Sequence, residues 1–203
     1  MADLLLASQN PGKLNEMRLL VEGLPFRVVG PREVGIEEAP EETGASFLEN
    51  ATLKALYYAA RSGRLTVADD SGISVDALGG GPGLYSSRFG GEDAGDAARN
   101  RLLLEKLAGV PRERRGAHFT SAVVVARDSR VLFQAQEEVH GYIAEETRGE
   151  NGFGYDPLFF YPPFGKTFGE VPHADKDRVS HRGKAFARLR EFLASLPDQA
   201  PGA

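Results

Sequence analysis

The apolar run Leu65-Thr66-Val67-Ala68 leads into two adjacent acids, Asp69 and Asp70, and then Ser71 and Gly72. A short apolar run of this kind reads as a buried strand. Side chains alternate across a strand, so the two acids face opposite ways if the strand reaches them. Adjacent carboxylates at the end of a buried strand are costly to desolvate unless they are paired or bind a cation. One acid therefore belongs to a cleft and the other to the protein. The spacing leaves open which is which.

Composition narrows what those acids serve. The chain of 203 residues has no cysteine, which excludes a thiol nucleophile, a disulfide scaffold and a cysteine-based zinc site. Its four histidines are not spaced as HExxH or HxH, so a histidine-rich zinc centre is also unsupported. A net charge of −5 argues against a bulk nucleic-acid binder. The N-terminus lacks a basic region and no apolar run approaches a membrane span, so a cytoplasmic protein with no membrane partner is predicted. Six lysines among 24 basic residues make each lysine near a site worth following. One domain of two lobes over residues 1–196 is expected, with 197–203 a frayed tail.

Taken in order, Leu4 to Ala7 reads as a strand, Ser8-Gln9-Asn10-Pro11-Gly12-Lys13 as a loop, and Leu14 to Val21 as a helix. Strand, glycine-containing loop and helix form the usual arrangement for holding phosphate on free helix amides. The same residues also fit an ordinary Asn-Pro-Gly turn with a solvated lysine, and they do not match a P-loop. Phe26 to Val29 reads as a second strand, and Glu33 to Glu42 as an acidic loop. Ser46 and Glu49 form a capping box ahead of a helix to about Arg61. Ile73 to Leu78 alternates like a half-buried strand, Gly79 to Gly83 is a dense loop, and Asp96 to Leu107 reads as a helix. A hairpin is predicted from His118–Ala126 and Val131–Ala135, its second strand running on towards Ala144. The bend Phe153-Gly154-Tyr155-Asp156 sets a ring beside a carboxylate, which suits a flat heterocycle or an aromatic hairpin packed on the core. Ser180 caps a terminal helix whose first turn holds His181 and Arg182, where the helix dipole disfavours cations; such local inconsistency often marks function.

Carboxylates without cysteine and with few histidines favour Mg²⁺ or Mn²⁺ as the metal. With lysines and a phosphate-suited loop, the residues alone point to a Mg²⁺-dependent enzyme acting on a phosphorylated small molecule, the aromatic bend favouring a nucleotide.

Six stretches together resemble the inosine triphosphate pyrophosphatase family. They are Ser8 to Lys13; Glu42-Thr43-Gly44 with Phe47, Glu49-Asn50-Ala51 and Lys54; Ala68 to Gly72; Gly80 to Arg88; Gly152 to Pro157; and Ser180-His181-Arg182-Gly183 with Ala185. The resemblance implies an α/β fold, an elongated mixed sheet flanked by helices, with two lobes around a central cleft. It also implies hydrolysis of ITP, dITP and XTP to the monophosphate and pyrophosphate. On these positions, Ser8, Gln9, Asn10, Pro11, Gly12, Lys13 and Lys54 hold the triphosphate, and Ser71 contacts substrate. Asp70 is the catalytic acid/base and, with Glu42, the ligand of Mg²⁺, with Mn²⁺ as a substitute. Phe153, Gly154, Tyr155, Asp156, Lys176, His181 and Arg182 bind base and sugar. Arg88 stands where some members carry lysine, and Ser8 replaces a common threonine while keeping the hydroxyl. A homodimer is implied too. Two other readings compete: a pyrophosphatase for other modified nucleotides, and a nucleotide-binding regulator without turnover.

Overall fold

The computed structural model describes residues 2–91 and 93–196, so the tail expected to fray, 197–203, lies outside the described residues. Seven strands, β1 (Ala2–Leu6), β2 (Phe26–Val29), β3 (Leu65–Val75), β4 (Gly116–Arg127), β5 (Arg130–Ile143), β6 (Phe159–Tyr161) and β7 (Lys166–Thr167), join in one sheet. Their order is β2-β1-β3-β4-β5-β6-β7. β1 pairs parallel with β2 and with β3, whereas β6 pairs antiparallel with β5 and β7, so the sheet is mixed as expected. The helices are α1 (Pro11–Leu20), α2 (Phe47–Ser62), α3 (Asp96–Lys106), α4 (His173–Asp177) and α5 (His181–Ser195).

Three expectations change. β3 is one continuous strand of 11 residues through Asp69, Asp70, Ser71 and Gly72, where the sequence reads as a strand end and a fresh start. Both acids are buried, at 1% and 6% exposure, because partners from distant elements reach them. α1 begins at Pro11 rather than Leu14: proline suits the first helical position, and the Asn10 side chain caps the start by accepting the Lys13 amide at 3.1 Å. Asp76–Leu78 turns as a 3₁₀ segment instead of continuing the strand.

The chain divides into two compact units. The first holds residues through Asp70, Ser121–Glu137 and the chain from Arg182. Strand alternation gives it two cores. Leu4, Leu6, Leu65, Val67, Val123 and Val125 pack with Met17 and Val21 and with Ala185, Phe186, Leu189 and Leu193 of α5. Leu5, Ala7, Ala68, Ala122, Val124 and Ala126 pack instead with Ala51, Ala55, Tyr58 and Ala59 of α2. Residues 65 and 67 thus face α1 and α5, while 68 faces α2. Asp69 inherits the first face and Asp70 the second.

α2 is held at its start by Ser46, whose hydroxyl accepts the Glu49 amide at 3.1 Å, a cap contributing about 1 kcal/mol. The Glu49 carboxylate reaches one residue further than a capping box requires, accepting from the Ala45 amide at 2.6 Å. The second unit, Ser71–Thr120 with Glu138–His181, has its own core of Ile73, Val75, Leu103, Phe119, Val139, Tyr155, Phe159 and Phe168. Among the described residues no helix is long and apolar enough to cross a membrane.

Candidate active site

In the first unit, ionised side chains collect on both faces of β3. On the α1/α5 face, Asp69 Oδ2 lies 3.0 Å from Lys13 Nζ and 3.4 Å from Arg182 Nη2. Its other oxygen accepts from the Ser121 hydroxyl at 2.6 Å. Arg182 in turn donates to Glu16, a buried acid on α1. Burial alone would raise the Asp69 carboxyl, but Lys13, Arg182 and the Ser121 hydrogen bond outweigh it and hold the group far below the usual carboxylate range. The two first-turn basic residues of α5 are both buried. Arg182 is spent on Glu16 and Asp69, and the ring of His181, in the second unit, stacks on Phe119 with centroids 4.7 Å apart.

On the α2 face the arrangement differs. Asp70 Oδ1 and Glu42 Oε1 share one ammonium, Lys54 Nζ, at 2.7 Å and 2.9 Å. Burial pushes the Asp70 carboxyl above its ordinary value, Lys54 pulling the other way. For Lys54, burial opposes the charge, but Asp70 and Glu42 overcome it and raise its pKa. The loop carrying Glu42 is pinned because the Gly44 amide donates to Asn50 Oδ1 at 2.8 Å. A Cβ at Gly44 would stand 2.7 Å from that same oxygen, which is why glycine occupies the position.

The phosphate-suited loop is locally ordered. Ser8 Oγ accepts from the Asn10 amide at 3.2 Å, and Gln9 Nε2 donates to the Glu37 carbonyl at 2.7 Å. Pro11 and Gly12 form the first turn of α1, and Lys13 is turned onto Asp69 rather than solvated.

In the second unit, the bend at Phe153 is built around Asp156, which is 3% exposed. Its Oδ2 accepts from Lys176 Nζ at 2.8 Å and from the Phe153 amide at 3.0 Å. Lys176, itself buried, also lies 5.5 Å from the centroid of the Phe153 ring. Tyr155 is 5% exposed, and its hydroxyl donates to the Ser86 carbonyl at 2.8 Å. Burial pushes that phenol well above its ordinary value, so it stays protonated. Phe153 and Gly154 are only half-buried. Ser71 is half-buried at the start of this unit, and Arg88 ends a 3₁₀ segment with its guanidinium carbon 5.9 Å from the Tyr85 ring.

The structure brings Lys13, Glu42, Lys54, Asp70 and Arg182 together in one unit and Phe153 to Asp156 with Lys176 in the other. Sequence reasoning missed Glu16, Ser121, Asp96 and Asn100. A buried acid on an otherwise ordinary helix gives no local signal, although the 16th residue interrupting the apolar spacing of α1 is a weak one.

Among the described residues no three His, Asp or Glu side chains gather into a metal cage. Two carboxylates already converging on one positive charge nevertheless fit a hard divalent cation that completes its shell with water and substrate phosphate.

The description "Ham1 family" matches residues 4–192. A dITP/XTP pyrophosphatase of Xanthomonas oryzae is 45% identical over 97% of this chain and 99% of the relative. One from Haemophilus influenzae is 45% identical over 94% and 98%. A HAM1 protein structure from Coxiella burnetii superposes with a TM-score of 0.87 at 37% identity, covering 97% of this chain and all of that one. A nucleoside-triphosphatase, or dITP/XTP pyrophosphatase, from Mycobacterium abscessus gives 0.73 at 42% identity, covering 92% and 98%.

Proposed function

The chain belongs to the Ham1 family, and from that premise we infer that it hydrolyses the deaminated purine nucleoside triphosphates ITP, dITP and XTP to monophosphate and pyrophosphate, cleansing the nucleotide pool. The observation that carries the reading is the convergence of Glu42 and Asp70 on one ammonium beside a second acid already paired with Lys13. A binding protein without turnover has no use for two acids held this way, because anionic phosphates are repelled by them.

Water attacks the α-phosphorus, a new P–O bond forms, and the bond to the bridging oxygen of pyrophosphate breaks. Asp70, whose carboxyl burial raises above its ordinary value, is the group suited to take the water's proton. Lys13 and Lys54, with the loop from Ser8 to Gly12, carry the charge of the triphosphate, and Ser71 contacts substrate. Mg²⁺, with Mn²⁺ as its substitute, would be held by Glu42 and Asp70; when bound it neutralises phosphate charge and polarises the reacting oxygen. Lys54 would then release the two carboxylates and turn to phosphate.

The second unit's bend serves the base: the Phe153 ring stacks on it, and Asp156 with Lys176 sets the ring's place. His181 and Arg182 act on base and sugar. Hypoxanthine and xanthine present a 6-oxo acceptor where adenine presents an amino donor. Donors that expect that oxygen are left unpaired against adenine, which rejects it strongly. The enzyme is expected to work in the cytoplasm as a homodimer.

Incubation with ITP and Mg²⁺ in ¹⁸O-water tests the reaction. IMP carrying the label, with unlabelled pyrophosphate, is expected. Inosine diphosphate and phosphate would sink the reading. Parallel assays with dUTP and methylated pyrimidine triphosphates separate it from a pyrophosphatase of other specificity.

A further inference from the structure

We propose that Asp96 and Asn100 of α3 are positioning residues for base recognition, holding the Gly154 peptide and thereby the Phe153 ring. The proposal rests on the reading of the Phe153 bend as the base reader. α3 lies outside every stretch that marks the family resemblance.

Gly154 sits between Phe153 and Tyr155 with φ +62°, a left-handed conformation that glycine adopts without strain. No atom lies within 4 Å of a Cβ built there, so the glycine answers to its backbone angle and not to crowding. Both polar groups of this residue are taken by side chains of α3. The Gly154 amide donates to Asp96 Oδ2 at 2.7 Å, and the Gly154 carbonyl accepts from Asn100 Nδ2 at 3.0 Å. Residues four apart share one helix face, so a single rigid element grips the peptide from its N–H and its C=O together.

The grip is itself braced. Arg99 Nη2 donates to Asp96 Oδ1 at 2.6 Å, and Arg99 Nη1 bonds the carbonyls of Ser87 and Ala94. Asn100 is 4% exposed, and its Oδ1 is buried with no hydrogen-bond partner. Such an unpaired acceptor is costly, and packing alone would be served better by an apolar side chain. What the amide supplies is the directed bond to Gly154. With the Tyr155 hydroxyl tied to Ser86 and the Phe153 amide to Asp156, the bend is held on both sides of Gly154.

The clamp acts through the bend, so its loss should alter recognition more than chemistry. Misplacement of a binding group by about 1 Å costs up to roughly a hundredfold in rate constant. The test measures kcat/KM for dITP and for dATP in Asn100→Ala, Asp96→Ala, Asp96→Asn and Phe153→Ala. The ratio of the two constants is independent of how much protein is correctly folded, so a merely structural role leaves it unmoved. Both alanine variants at α3 are expected to lower the dITP:dATP ratio about tenfold or more, mostly through KM. Asp96→Asn keeps an acceptor for the Gly154 amide and should restore the ratio to within about threefold. Asp96 is partly exposed, which keeps the test open if Asn100→Ala fails to fold. If Phe153→Ala collapses the ratio while the α3 alanine variants keep it, the clamp is overturned and the base-reading bend stands. If Phe153→Ala keeps the ratio too, the reading of the bend fails and the clamp falls with it.

Discussion

The two faces of β3 carry the same residue type one position apart and treat it in opposite ways. Asp69, facing α1 and α5, is surrounded by Lys13, Arg182 and the Ser121 hydroxyl and is kept firmly ionised. Asp70, facing α2, shares the Lys54 ammonium with Glu42, and burial raises its carboxyl. Environments that push neighbouring carboxyl groups apart assign them different work. Asp69 has the surroundings of a strut that orders cations. Asp70 has the surroundings of a group that exchanges protons or meets a metal.

The sharpest way to break this comparison is to neutralise each acid in turn. Asp70→Asn should lower kcat by about 10³-fold while leaving the unfolding midpoint nearly unchanged, measured by steady-state kinetics beside urea denaturation. A variant with near-normal turnover removes Asp70 from the mechanism. Asp69→Asn should show the reverse emphasis. It leaves the buried Arg182 and the half-buried Lys13 against a neutral amide, a loss of about 3–5 kcal/mol in unfolding free energy by denaturant titration. An Asp69→Asn protein as stable as the parent contradicts its role as a strut.

Lys54→Met probes what Glu42 and Asp70 share. Without the ammonium, the affinity for triphosphate should fall, raising KM for ITP by about tenfold, equivalent to 1.4 kcal/mol, with a smaller change in kcat. An unchanged KM would detach Lys54 from the phosphates and leave it only as the partner of two acids.

Asp3, half-buried at the start of β1, gives the smallest effect and a contrast with both buried acids. Hydrogen bonds from Arg27 and Arg64, at 2.7 Å and 3.0 Å, lower its carboxyl from 3.8 to about 2. The folded value lies below the unfolded one, so the stabilisation is complete above pH 3.8 and is lost as pH falls through about 2. Asp3→Asn should therefore flatten the acid limb of the stability curve between about pH 4 and 2 and leave neutral activity unchanged. An acid limb of unchanged slope would show that the pair contributes nothing in solution.

Much of this arrangement was legible because it depends on local rules. Strand alternation alone placed Asp69 and Asp70 on opposite faces, and Ser46 was readable as a cap because its partner lies three residues away. The family resemblance then selected Asp70. The continuation of β3 was not legible, because an acid pair followed by serine and glycine ends a strand by composition. Lys13, Lys54 and Arg182, from helices far apart in the chain, with the Ser121 hydroxyl, make burial of those acids tolerable. By spacing alone Lys13 read first as a solvated turn lysine, with a phosphate-facing role as the alternative, and its pairing with Asp69 is a tertiary fact. Glu16 and Asn100 were invisible for the same reason: each is a polar residue on a helix whose partner lies more than 50 residues away.

The division of labour between the faces of β3 is tested most directly by carbon-13 NMR titration of the Asp69 and Asp70 carboxyl groups in the intact chain without divalent cation. Asp70 is predicted to titrate above 3.8, while Asp69 stays ionised across the whole acid range in which the fold persists. Asp69 taking up a proton at or above the pH where Asp70 does so would contradict the account.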